Sequence, residues 1–234
     1  QRIFPALALV LIVCYGLGRY VLLHEELQQL SLHTASGAGF IQNFILWRES
    51  SYFDAASELK PLMHLWSLAI EEQFYVLYPV LIWLGWKRNW NVLVIIAMIG
   101  LLSFALNLYG MQRDAVGAFF SPQTRFWELM VGAALAYHSA FIHTEQENSR
   151  MNNVFACLGL LLICAAVLTF NRQQAYPGWR AAIPVLGAGL LLQAGPRAWV
   201  NRQWLACRIM VAIGLISYPL YLWHWPLLSF ARIM

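Results

Sequence analysis

The chain has 234 residues, 60 % of them hydrophobic and only 11 % charged, with a net charge of +4 and a mean hydropathy of +0.57. A water-soluble domain carries about a quarter charged residues, so the composition excludes that class and points to an integral membrane protein. The small positive charge gives no ground for a nucleic-acid partner.

The first apolar run follows Gln1 and Arg2 directly, with no charged leader and no initiator Met. The last run ends just before Ala231-Arg232-Ile233-Met234, so both ends read as cuts inside a longer protein. By the rule that about 20 apolar residues cross a bilayer as a helix, the spanning candidates are 3–23, 63–86, 90–110, 124–142, 153–171, 179–195 and 209–230. The expected fold class is all-α, a polytopic transmembrane helix bundle. The sixth candidate is short and holds Pro184, which predicts a tilted, kinked or partly re-entrant path. The longest gap, 24–62, carries His24, Glu25, Glu26, Glu49, Asp54, Glu58 and Lys60. Its apolar patch at 40–47 is too short to span and predicts an interfacial or re-entrant element.

Eleven tryptophans suit side chains that anchor helix ends at the lipid–water boundary. The cysteines, Cys14, Cys157, Cys164 and Cys207, lack the close pairing of a metal or redox motif and read as small packing residues. No metal site is expected. If Arg2 is cytoplasmic, so are Lys87, Arg88, Arg150, Arg197, Arg202 and Arg208. The opposite side then holds Arg19, Arg48, Lys60, Arg113, Arg125, Arg172, Arg180 and Arg232. Seven against eight does not decide orientation; the local clusters at 86–90 and 196–208 favour this choice and put the 24–62 segment outside.

Chemistry concentrates in four places. Glu71 and Glu72 lie inside a candidate span, where ionisable groups are costly and mark a polar cavity or pathway. His64, Ser67, Glu71, Tyr75 and Tyr78 fall on one helical face, with His64 and Glu71 roughly 10 Å apart along the axis. Such a face can bind a hydroxyl and help move its proton; equally, the carboxylates can pair with arginines and hold the bundle together. Ser217, Tyr221 and His224 form a second face in the last span, interrupted by Pro219 and Pro226, and can alternatively be an interfacial belt. Arg125 and Glu128 are spaced to meet as an ion pair. Arg2 is either a topology anchor or a phosphate contact. The histidines His24, His33, His138 and His143 show no ligand spacing and read as solvated or interfacial.

Taken together, these segments resemble acyltransferase family 3, which includes bacterial O-antigen and polysaccharide O-acetyltransferases. HLWSLAIEEQFYVLYP at 64–79 resembles the family block H-x-W-S-L-x-x-E-E-Q-F-Y. TRFWELMVG at 124–132 and ISYPLYLWHWP at 216–226 resemble two further blocks, in order, and QRIFPAL at 1–7 is similar to the second half of R-x-x-R-I-x-P. YFDAASELKPLMH at 52–64 is similar to the subset in which an extracytoplasmic SGNH-like domain follows the membrane half.

The resemblance implies that 1–234 is most of a larger helical membrane domain of about ten spans, truncated at the N-terminus and also at the C-terminus. It implies a multi-pass protein of the bacterial inner membrane that transfers an acyl group, usually acetyl, from cytoplasmic acyl-CoA to a hydroxyl of an envelope glycan such as lipopolysaccharide O-antigen. Arg2 matches the second arginine of a pair that meets the CoA phosphates. His64, Glu71 and Glu72 fall in the block expected to carry catalysis. Ser67, Tyr75, Arg125, Glu128, Ser217, Tyr221 and His224 are expected to support the substrate or the cavity. The family's first helix, with its catalytic histidine, lies ahead of Gln1, so this chain alone is expected to be inactive. Two other classes fit buried carboxylates: a transporter or flippase of a lipid-linked precursor, and a non-catalytic anchoring subunit.

Overall fold

The computed structural model describes residues 3–50, 57–141, 149–171, 174 and 176–234. These residues are helical, with no strand among them. The chain forms two compact units, 1–76 with 213–234, and 77–212.

In the first unit, α1 (Ile3–Val21) buries Leu7, Val10, Leu11 and Cys14, the i, i+3, i+4, i+7 stripe of one helix face. That stripe packs on Leu30 of α2 (His24–Ala38), on Leu62, and on Leu65 and Leu68 of α4 (Leu65–Lys87). Leu222 and Phe230 of α10 (Arg208–Ile233) complete the core. Gly18 lets α1 approach α2: a Cβ there would sit 2.3 Å from Leu30 Cδ2. Glu26 reaches back to accept from the Leu23 N–H at 3.0 Å, capping the first turn of α2.

The 24–62 gap is therefore not an open loop. α2 fills most of its first half, and α3 (Gln42–Glu49) follows after a turn at Phe40, whose φ is 53°. Hydropathy misses α2 because its buried side is Leu30, His33, Ser36 and Gly37, a stripe with a single large apolar residue. α3 is inside out relative to a soluble helix. Gln42 and Asn43 are fully buried, while Ile41, Phe44 and Trp47 at its apolar patch are exposed.

In the second unit, α5 (Val92–Arg113) packs on α7 (Phe126–Phe141), and α8 (Ser149–Thr169) packs on α9 (Ala182–Ala194). A short helix, α6 (Ala115–Phe120), lies between α5 and α7. Asn91 caps α5 by accepting from the Leu93 N–H at 2.9 Å, and Asp114 caps α6 through the Gly117 N–H at 2.8 Å. Pro184 does not kink α9. It lies in the first turn, where its missing N–H would have had no helical acceptor.

Each of the expected spans contains a helix. α1, α5, α8 and α10 are long and apolar enough to cross a membrane by length and composition; α7 and α9 are shorter, at 16 and 13 residues. α10 runs unbroken through Pro219 and Pro226. Large apolar side chains cover the outside, among them Leu101, Leu168 and Leu215 at 71, 83 and 80 % exposure. Such a surface suits lipid rather than water.

Candidate active site

The first unit brings two of the expected faces together. His64 ends the turn 61–64 that leads into α4, and the residue is 7 % exposed. It packs edge-on against Tyr221 at 5.2 Å and His224 at 5.7 Å between ring centroids. The Tyr221 hydroxyl donates to the His64 carbonyl at 2.5 Å. Having spent its one proton there, it accepts from the Ser67 hydroxyl at 2.9 Å. α4 and α10 are thus stitched through one tyrosine.

The two histidines differ in kind. His224 Nδ1 lies 2.7 Å from the Tyr221 carbonyl three residues back, a bond only an N–H can make. This fixes the tautomer and leaves Nε2 with a lone pair to accept a proton or a hydroxyl hydrogen. His64 has both ring nitrogens buried, with no side-chain hydrogen-bond partner and only the Leu222 backbone beside them. Buried polar atoms are rarely left without a side-chain or water partner, and this ring sits between a tyrosine and a second histidine. The arrangement can orient a hydroxyl and accept its proton at His224 Nε2.

The carboxylates stand apart from that cluster. Glu71 is exposed and Glu72 half-buried, and in the first unit neither makes a hydrogen bond or ion pair among the described residues. Both act on Tyr75 and Tyr218 through their charge. The α4 face drawn from sequence therefore runs from buried His64, through half-buried Ser67, to Glu71 and a 54 % exposed Tyr75. Ser217 does not join the site. It is exposed, and its hydroxyl bonds back to the Gly214 carbonyl at 2.8 Å. Arg2 lies outside the described residues.

Arg125 and Glu128 belong to the second unit. They form the expected i, i+3 pair, bidentate at 2.8 and 3.0 Å. The guanidinium also lies over the Phe119 and Tyr176 rings, at 5.7 and 6.0 Å. Tyr176 sits outside the spanning helices, and burial raises its phenol above the usual range.

One histidine is corrected. His33 is neither solvated nor interfacial: it is 1 % exposed, and its Nε2 donates to both Glu49 oxygens, at 2.8 and 3.0 Å. Glu49 Oε2 also accepts from Lys60 Nζ at 2.8 Å. Burial acts to raise the Glu49 carboxyl, but the hydrogen bonds from His33 and Lys60 outweigh it and hold Glu49 below the ordinary carboxylate value. His24 is exposed and His138 half-buried; His143 lies outside the described residues. Sequence reading also passed over Gln42, Gln73 and Trp225. Gln42 donates to the Leu62 carbonyl at 2.6 Å, and Gln73 to Phe40 O and Asn43 Oδ1 at 2.7 and 2.9 Å. The available signal was the spacing of Leu30, His33 and Gly37, a helical stripe of mixed polarity.

Comparison with known proteins identifies the family of the chain. The chain matches the family described as an acyltransferase domain over residues 1–233. A protein of Haemophilus influenzae with no functional name is 26 % identical over 201 residues, 82 % of each chain. The peptidoglycan O-acetyltransferase OatA of Listeria monocytogenes is 28 % identical over 244 residues, covering 98 % of this chain and 39 % of that protein. The chain thus spans well under half of the Listeria relative. No solved structure matches it.

Proposed function

Because this chain belongs to the acyltransferase family, we propose that it forms the membrane part of an O-acyltransferase, moving an acyl group, normally acetyl, from acyl-CoA to a hydroxyl of a cell-envelope glycan. The observation that carries the reading is the convergence of His64, Ser67, Tyr221 and His224, with an accepting nitrogen at His224 and a buried His64 ring that no side chain hydrogen-bonds. The Listeria relative's name supports a glycan hydroxyl as acceptor. Peptidoglycan and lipopolysaccharide O-antigen share that chemistry. The donor would dock on the cytoplasmic side near Arg2, in a bacterial inner membrane.

In this mechanism an acceptor hydroxyl enters beside the two rings. The histidine expected ahead of Gln1, aided by the His64 and His224 rings, takes the hydroxyl proton as the oxygen attacks the thioester carbonyl, and the CoA thiolate leaves. A positioned base of this kind contributes about 10²–10⁴-fold. Glu71 and Glu72, on the open side of α4, would hold sugar hydroxyls by accepting hydrogen bonds.

The test uses the full-length gene product in membrane vesicles, with acetyl-labelled acetyl-CoA supplied on the cytoplasmic side. Wild type moves label into envelope glycan. His64→Asn, at matched expression, lowers that transfer by at least about 10²-fold. Absence of transfer in wild type, with native glycan present, would replace this reading with the transport one.

A further inference from the structure

The turn that carries His64 is held from outside along its length. The Lys60 carbonyl accepts from Trp225 Nε1 at 2.9 Å, the Leu62 carbonyl from Gln42 at 2.6 Å, and the His64 carbonyl from Tyr221 at 2.5 Å. The fourth hold is the Lys60 side chain, whose Nζ lies 2.8 Å from Glu49 Oε2. Of these four, the Glu49 link alone is charged at both ends. Charge-assisted hydrogen bonds are roughly twice as strong as neutral ones.

Glu49 ends α3, and its carboxylate also receives His33 from α2. One carboxylate therefore ties α2, α3 and the 60–64 turn together, with His33 at 1 % and Lys60 at 8 % exposure. The His64 ring makes no hydrogen bond to another side chain, and only the Leu222 backbone acts on it as one. Its place is set by the turn and by the Tyr221 and His224 rings.

We infer that Glu49 is a positioning residue for the acyl transfer: through Lys60 it fixes the 60–64 turn and so seats His64 against Tyr221 and His224. Its consequence for turnover rests on the function proposed above, while its geometry does not. A misplacement of about 1 Å in a reacting constellation costs on the order of 10²-fold, so a loosened turn has a large effect without any direct contact to substrate.

Two readouts on the full-length protein in membrane vesicles test this. The first is the reaction of individual histidines with diethyl pyrocarbonate, located by mass spectrometry. His64 is protected in wild type because both nitrogens are buried. In Glu49→Gln, and independently in Lys60→Gln should the first variant fail to accumulate, His64 reacts at least about tenfold faster, since reactivity of a buried ring follows local opening. His24, exposed on α2, keeps its wild-type rate. The second readout is label transfer. Each variant loses on the order of 10²-fold, and adding either change to His64→Asn lowers transfer by no more than about a further factor of two.

Continued protection of His64 in both variants overturns the proposal. So does a full second loss in the double variants, or equal acceleration at His24, which would make Glu49 a merely structural residue. If wild type transfers no label, the acyl-transfer reading falls, and His64 protection alone decides whether Glu49 seats the turn.

Discussion

At neutral pH Glu49 is ionised and accepts from His33 and Lys60 at once. Its carboxyl titrates below the ordinary value in the folded chain. A carboxylate with a depressed folded pKa adds stability that is fully present above its unfolded value, about 4.3, and is lost as pH falls through the folded one. Glu49→Gln removes the charge but keeps the shape, and a hydrogen bond to a charged group contributes about 1.5–3 kcal/mol. Wild type in detergent is therefore expected to melt well above Glu49→Gln at pH 7. The gap should narrow as pH is taken below about 4.3. A gap that stays constant from pH 7 down to pH 3 would show that the glutamate contributes nothing through its charge. His33 illustrates what spacing alone misses. Its partner is 16 residues away on another helix, and no local pattern announces that pairing.

Helix pairing depends on whether two backbones can come close, and α8 and α9 do so at Gly159 and Gly187. A Cβ on Gly159 would lie 2.6 Å from the Gly187 carbonyl and 3.0 Å from the Leu191 N, both backbone atoms of α9. Small residues permit such approach in membrane bundles. Gly159→Ala is expected to cost about 1–3 kcal/mol by overpacking, seen as a lower melting temperature in detergent. Gly132→Ala on α7 meets nothing within 4 Å and should be neutral or slightly stabilising. Equal effects at the two glycines would refute the close-contact account. The long apolar helices, α1, α5, α8 and α10, were legible because their hydropathy and their length agree. α3 falls on the 40–47 patch read as an interfacial or re-entrant element, but α2 and the inward turn of Gln42 and Asn43 were not legible, because these elements bury polar groups: His33 on Glu49, and Gln42 and Asn43 inside. Tyr221 and His224 were legible as a helical face, but the junction of Tyr221 with Ser67 spans 154 residues of sequence and no local spacing announces it. Ser217 shows the limit of that method: it has the right spacing, yet its hydroxyl turns to its own backbone.

For the molecule as a whole, orientation is what fifteen basic residues fail to decide by count, and α5 offers the cleanest reference. Its 22 residues make a rod of about 33 Å, against a hydrocarbon core of about 30 Å. Its middle is bare and apolar, with Met98, Leu101 and Leu102 at 65, 71 and 62 % exposure. Each end carries a cation over an aromatic ring. Arg88 lies 5.8 Å from Trp90 before the helix, and Arg113 lies 5.2 Å from Tyr109 in its last turns. Aromatic rings and cations so placed mark the two lipid–water boundaries. Single cysteines at Arg88→Cys and Gln112→Cys, with the native cysteines replaced, should therefore react with a membrane-impermeant maleimide from opposite sides. The paired positives Lys87 and Arg88 favour a cytoplasmic face for the first, and on that orientation it is expected to label in inverted vesicles and stay silent in right-side-out ones. Gln112→Cys shows the reverse. Labelling of both from one side would rule out α5 as a span. Labelling with the sides exchanged would keep α5 as a span and reverse its orientation.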